Sequence, residues 1–109
     1  MSMNILFEAV REVVVKKTGK IDIQTIEYEV WQTPTNDTYK IHDSANPVKA
    51  YCDWVLQYDA KDEIVDVFDD EENLIGSKTV NFGKEHIDEF LEWVKSAESE
   101  GYEVRTVVI

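Results

Sequence analysis

Cysteine, proline and glycine are all scarce, at one, two and four residues of 109. The single thiol, Cys52, excludes an internal disulfide and fits a reducing compartment. So few glycines and prolines exclude collagen-like, low-complexity and linker-dominated chains. No apolar run approaches the roughly 20 residues that span a bilayer, and no signal-peptide core opens the chain, so a cytoplasmic protein is expected. Basic residues are also in deficit, 11 against 23 Asp and Glu, giving a formal net charge of −12. Such a field repels phosphate backbones and anionic lipid, which argues against direct binding to nucleic acid or membrane.

The residues that usually carry chemistry are thin as well. The two histidines, His42 and His86, stand apart, and no His-x-x-x-His or Cys-x-x-Cys spacing points to zinc or iron. Phosphate-cradling glycine loops and a Gly-x-Ser-x-Gly elbow are missing. Asp69-Asp70-Glu71-Glu72-Asn73 is acidic but lacks the alternating ligands, central glycine and terminal glutamate of an EF-hand loop. Cys52 has apolar neighbours at strand spacing, Ala50 and Trp54, and reads as a small buried hydrophobe rather than a nucleophile. No catalytic residue, cofactor or metal is therefore expected, and the chain reads as a non-enzyme.

What is present is ample core material: 43% hydrophobic residues and 11% aromatics, including three Trp. The length suits one domain, 1–109. Asn4 to Lys17 reads as a helix, with Leu6, Val10, Val13 and Val14 at i, i+4, i+7 and i+8 and Gly19 as its stop. Ile21 to Trp31 alternates as a strand, with Ile26, Tyr28 and Val30 on one side. Thr33 to Asp37 is a turn cluster, and Tyr39–Ile41 a short strand. Residues 48–58 are ambiguous. Asn46-Pro47 suits a helix start, but Val48, Ala50, Cys52, Trp54, Leu56 and Tyr58 alternate strictly, which favours a strand.

Two related turns, at Asp59–Ile64 and Asp70–Ile75, each with Asp62 or Asn73 where a type I turn is followed by a left-handed residue, then predict a meander of strands 48–58, 63–69 and 74–82. Its register would align Trp54–Phe68–Gly76, Leu56–Asp66–Lys78 and Tyr58–Ile64–Val80, which gives Asp66 a partner in Lys78. Lys84 to Ser99 is the clearest helix, with Ile87, Phe90, Leu91, Val94 and Ala97 on one stripe, and Glu103 to Ile109 a closing strand. The expected class is α+β: an antiparallel sheet of five to six strands packed against two helices, in the order α-β-β-β-β-β-α-β.

The negative charge is unevenly placed. Residues 1–52 hold seven acids and six bases, whereas 53–103 hold sixteen acids and four bases. Asp59, Asp62, Glu63, Asp69, Asp70, Glu71 and Glu72 crowd the hairpin region, and Glu85, Asp88, Glu89 and Glu92 share one side of the last helix with Trp93 at its border. The plain explanation is a solvated surface. The functional expectation is a small non-catalytic binding or inhibitor protein whose acidic surface, those twelve residues, engages a basic and nucleic-acid-binding type of protein. Carboxylates repeated every helical turn, about 5.4 Å along the axis, imitate the regular charges of a nucleic-acid strand. In general type, though in no shared motif, this is similar to bacterial toxin-immunity proteins and phage-encoded inhibitors, which are often short and acidic. Two alternatives compete: a ligand or enzyme pocket between sheet and helices, lined by Trp31, Tyr51, Trp54 and Tyr58, and a homodimer paired through the strand edge at Tyr39–Ile41 or the C-terminus.

Overall fold

The structure, a computed structural model, describes the backbone of residues 2–109 and the side chains of residues 4–109. After a two-residue strand β1 (Ser2–Met3), the segment expected to be a helix is the long strand β2 (Ile5–Val14). Ile5, Phe7 and Ala9 are its buried residues, a period of two that the helical stripe through Leu6 and Val10 concealed. Four of its ten residues are β-branched, and such side chains are stiff at χ1 and suit an extended backbone. β2 is the central strand of an antiparallel sheet, between β3 (Ile21–Glu29) and β7 (Glu103–Val108). β3 keeps its expected limits to within two residues at one end, and its inward side runs through Ile26, Tyr28 and the following Val30.

The next two segments are helices rather than strands. β4 (Thr33–Pro34) pairs with β1 and leads directly into α1 (Thr35–His42). The buried Thr33 and Thr38 hydroxyls bond to each other, and Thr38 Oγ1 also donates to the carbonyls of Thr33 and Pro34 at 3.1 Å. These bonds fold the expected turn cluster into a first helical turn, and Ile41 follows Thr38 by three residues into the core. α2 (Pro47–Tyr58) begins as Asn46-Pro47 allowed: Asn46 Oδ1 accepts from the Lys49 N–H at 3.2 Å, and proline occupies the first turn. The alternating pattern put Tyr51 and Val55 on the polar side, yet both are fully buried, while Leu56 and Tyr58 are half exposed. Burial at 51, 52 and 55 is helical spacing, and it overrides the six alternating apolar residues.

The predicted third strand pair survives in shifted form. β5 (Glu63–Phe68) and β6 (Leu74–Val80) make an antiparallel hairpin, but Asp66 faces Ser77 and Lys78 faces Val65. The aromatic row through Trp54 is already lost because 48–58 is α2, and the shifted register removes the Asp66–Lys78 pairing as well. The cause is in the loop. The left-handed residue is Glu72 (φ 62°), not Asn73, and a bulge falls between Val67 and Phe68. Asp69 holds this loop: its carboxylate accepts from the Glu71 and Asn73 N–H groups at 2.9 Å, and its own N–H donates to the Asn73 carbonyl. One residue of slip is enough to exchange the faces of a strand.

α3 (Phe82–Ser99) is the expected long helix, begun two residues earlier by Asn81, whose Oδ1 accepts from the Lys84 N–H. It ends where Gly101 takes φ 85°, letting the Tyr102 N–H reach the Ala97 carbonyl and the Gly101 N–H reach that of Glu98. The architecture is thus α+β with three helices and antiparallel sheets of three and two strands, beside the short β1–β4 pair. Its order, β-β-β-β-α-α-β-β-α-β, replaces the expected two-helix order and the single large sheet.

The core forms where the helices cover the Ile5–Phe7–Ala9 side of β2. Phe7, Tyr51 and Phe90 are fully buried, with ring centroids 4.6 to 5.7 Å apart. Gly83 sets the approach of α3 to the end of α2. A Cβ at this position would lie 2.6 Å from the Asp59 carbonyl oxygen and 2.8 Å from Ala60 Cα, both backbone atoms that cannot rotate away. Gly83→Ala should therefore destabilise the fold by about 1–3 kcal/mol, although alanine is the better helix former. Urea unfolding reads this directly, and a neutral or stabilising alanine would contradict the close approach.

Two hairpins extend beyond this core. β7 stops pairing with β2 at Val10, so the stretch from Arg11 through Gln24 continues as a free two-stranded ribbon. β5 and β6 pack on each other and make no extensive contact with another element. The radius of gyration is consequently 18.4 Å and the long dimension 60 Å, against about 13 Å expected for the radius of a compact chain of this size.

Candidate functional site

The α3 carboxylates share one rigid element. Ile87, Phe90, Val94 and Ala97 are buried, and this fixes Glu85, Asp88, Glu89 and Glu92 on the opposite, exposed side. Among the described residues the ion pairs are Lys49–Asp53 at 2.7 Å and Arg105–Glu8 at 2.8 Å, so none of the four α3 carboxylates has a cationic partner. Glu85–Glu89 and Asp88–Glu92 are like-charged i, i+4 pairs, each unfavourable by about 0.2–0.5 kcal/mol. Trp93 lies at the border, half-buried, its ring 5.3 Å from Tyr28 and 6.5 Å from Phe90. It is anchored in the core periphery and offers an edge to solvent.

The other acidic residues divide between two places. Asp59 caps the C-terminus of α2, and Asp62 accepts from Asn81 Nδ2 at 3.1 Å, so both lie at the root of the β5–β6 hairpin. Glu63, Asp69, Asp70, Glu71 and Glu72 belong to the hairpin itself and are exposed. Asp69 is committed to its own loop, and the N–H groups of Asn73 and Glu71 hold its carboxyl below the usual range. The twelve residues therefore form a helix stripe and a separate hairpin.

On the inner border of α3 sits a polar contact that the sequence did not suggest. His86 stacks on Trp31 with ring centroids 4.2 Å apart and 12° between planes, and its Nε2 lies 2.8 Å from the hydroxyl of the buried Tyr51. The Trp31 backbone N–H donates to that same oxygen at 3.1 Å. The phenol hydrogen is then free to point at Nε2 of a neutral imidazole that carries its own hydrogen on Nδ1. Burial lowers the pKa of His86, partly offset by Glu89, and burial raises that of Tyr51. A histidine whose folded pKa lies below its unfolded value binds fewer protons in the native state. Its contribution to stability is complete above about pH 6.5 and is lost as pH falls toward the folded pKa. His86→Phe, which keeps the stacking and removes the titration, should flatten the fall in stability just below pH 6.5. An unchanged pH profile in thermal melts would contradict this.

The space between sheet and helices, where the alternative reading placed a pocket, is filled. Tyr51 occupies that space with Phe7 and Phe90, and Trp31 is taken up by His86. Trp54 and Tyr58 instead line an open groove of about 240 Å³ between α1 and α2, where Trp54 Nε1 donates to Asp37 at 3.2 Å. Cys52 is buried, and burial pushes its thiol up to about 11, far from a reactive thiolate. Among the described residues, no group of three His, Cys, Asp or Glu is placed to hold a metal, and no helix is long and apolar enough to cross a membrane.

No protein-family model, curated protein or solved structure matches the chain. The functional reading therefore rests on the surfaces themselves. The ones that sequence reasoning missed are apolar: Ile64, Phe68, Leu74 and Ile75 on the β5–β6 hairpin, and Val14, Ile21 and Ile23 on the β2–β3 ribbon, all largely exposed. Assigning residues 4–17 to a helix hid Val14 and the ribbon that sets it beside Ile21 and Ile23. The first was visible as apolar residues inside the most acidic stretch.

Proposed function

We propose that this is a small, non-catalytic, cytoplasmic binding protein whose α3 face docks into a basic groove of a protein of the nucleic-acid-binding kind, and so blocks or neutralises it. The observation that carries this reading is the row of exposed carboxylates at 85, 88, 89 and 92, none of them in an ion pair although Lys84 and Lys95 lie on the same helix, with a half-buried tryptophan alongside. Leaving like charges unpaired along one helix costs folding stability, and a cationic partner would recover that cost. The hairpin carboxylates add to the long-range field that draws such a partner in, and a rigid helix presents its charges at fixed spacing with little ordering on binding.

Capture on the immobilised chain from extracts of its source cells, at about 50 and about 500 mM salt, tests the proposal, since these span screening lengths from over 10 Å to a few Å. A basic protein retained at the lower salt and released at the higher supports it. Retention that ignores salt, or retention of acidic proteins only, refutes it.

A further inference from the structure

The two hairpins that leave the core carry complementary surfaces. On β5–β6, Ile64, Phe68, Leu74 and Ile75 are between 55 and 77% exposed, although no extensive contact with another element supports this hairpin. An isolated two-stranded hairpin is marginally stable in water, so an exposed apolar hairpin face is a surface that gains from being covered. Its loop is strongly acidic, through Asp70, Glu71 and Glu72, with Asp66 on the strand and Lys78 the hairpin's own cation. The β2–β3 ribbon is its counterpart. Val14, Ile21 and Ile23 are 61 to 65% exposed on one side of it. Lys16, Lys17 and Lys20 crowd its turn, where Gly19 adopts φ 68° and the Val15 N–H meets the Lys20 carbonyl. Glu12 and Asp22 flank that turn, leaving its tip basic.

Within one chain the two surfaces do not meet: they share no extensive contact, and among the described residues no ion pair links these lysines to the hairpin acids. We infer that a second copy of the chain supplies the missing contact, the lysine-bearing ribbon of each protomer lying on the acidic β5–β6 hairpin of the other in a two-fold dimer. Apolar side chains cover each other and the lysines meet Asp70, Glu71 and Glu72. Two-fold symmetry repeats the contact, so both hairpins of both chains are satisfied and the assembly closes at two. The expected strand edge at Tyr39–Ile41 does not exist, since those residues lie in α1, and the edge of the C-terminal strand β7 is not used. The inference does not involve the α3 face, so its failure would leave that contact surface standing, and the converse holds; only the long-range contribution of Asp70, Glu71 and Glu72 is shared, and dimerisation would offset it.

Sedimentation of the purified chain alone tests it. The wild-type chain should dimerise, and raising salt from about 50 to about 500 mM should weaken the dimer roughly tenfold or more. Two charge-swapped chains give the decisive arm: K16E/K17E/K20E, with an acidic ribbon, and D70K/E71K/E72K, with a basic hairpin. Each alone opposes like charges at both contacts and should be monomeric. Mixed one to one, they restore opposite charges at both contacts and should dimerise again, which also reports that both are folded. A monomeric wild-type chain at about 100 μM (a concentration that would populate even a weak dimer), a dimer indifferent to salt, swapped chains that still self-associate, or a mixture that stays monomeric would each overturn the inference. So would growth beyond the dimer with concentration, which would mean that the contact does not close.

Discussion

Reversing Glu85, Asp88, Glu89 and Glu92 to lysine together is expected to weaken binding to the captured basic protein by about two to three orders of magnitude, because like-charge contact across an interface costs several kcal/mol. The fold should tolerate the change. All four side chains are exposed on a helix whose opposite face holds it in place; the reversal exchanges carboxylate for ammonium repulsion at the same spacing and adds like-charge contacts of Lys84 with position 88 and of Lys95 with position 92, about 0.2–0.5 kcal/mol each. Glu85 lies in the first turn, where a lysine opposes the helix dipole, so a loss of about 0.3–1 kcal/mol in stability is expected from that position. Calorimetric affinities beside a urea melt separate the two effects. Reversing the hairpin acids Asp70, Glu71 and Glu72 instead should slow association more than it hastens dissociation, since those charges act at a distance. Equal losses from both reversals would mean that the helix is not the contact surface.

The second large effect concerns the core. Phe90→Ala should cost about 3–5 kcal/mol, because it leaves a cavity that the surrounding side chains cannot fill. Phe90 is fully buried, with ring centroids 4.6 Å from Phe7 and 5.5 Å from both Tyr51 and Tyr28, so its loss removes contact to β2, β3 and α2 at once. A domain of this size has about 5–15 kcal/mol in total. The variant should therefore be largely unfolded at modest urea. Leu91→Ala, one residue along but on an exposed side chain, should cost under about 1 kcal/mol. Similar costs at 90 and 91 would mean that the helix is rotated from the orientation described, and the acidic stripe with it.

How far the fold was legible follows from which residues signal locally. α3 was readable from its apolar stripe, Ile87 to Ala97, and from Gly101 just beyond its end, whereas its Asn81 cap fell inside the predicted strand 74–82. β3, β7 and the β5–β6 pairing were readable from alternation and turn residues. α2 was misread because its two most buried residues, Tyr51 and Val55, fall between six apolar residues that alternate by coincidence, and only the tertiary contact with Phe7 and Phe90 decides between the patterns. β2 was misread for the opposite reason: Leu6, Val10 and Val14 imitate a helical stripe, while its burial pattern depends on neighbours on both edges, one of them about a hundred residues away. The hairpin register turned on whether Glu72 or Asn73 takes the left-handed conformation, and the carboxylate of Asp69 settles it by binding both flanking N–H groups.

For the candidate surface, composition located the excess charge in residues 53–103, and the α3 stripe lies where the helical period put it. That none of its carboxylates is ion-paired, although Lys84 and Lys95 lie on the same helix, depends on side-chain geometry that the sequence does not give. The division of the acids between a helix and a detached hairpin depends on α2 being a helix, since the predicted meander would have held the hairpin within one sheet.

The most direct test is the affinity of the wild-type chain for the captured basic protein across a salt series from about 50 to about 500 mM, a range over which the screening length falls from over 10 Å to a few Å. Contact through the α3 carboxylates predicts that log Kd rises steadily with log salt and that reversing those four residues removes most of the slope. A Kd that stays flat across the series, or a slope unchanged by the reversal, would contradict it.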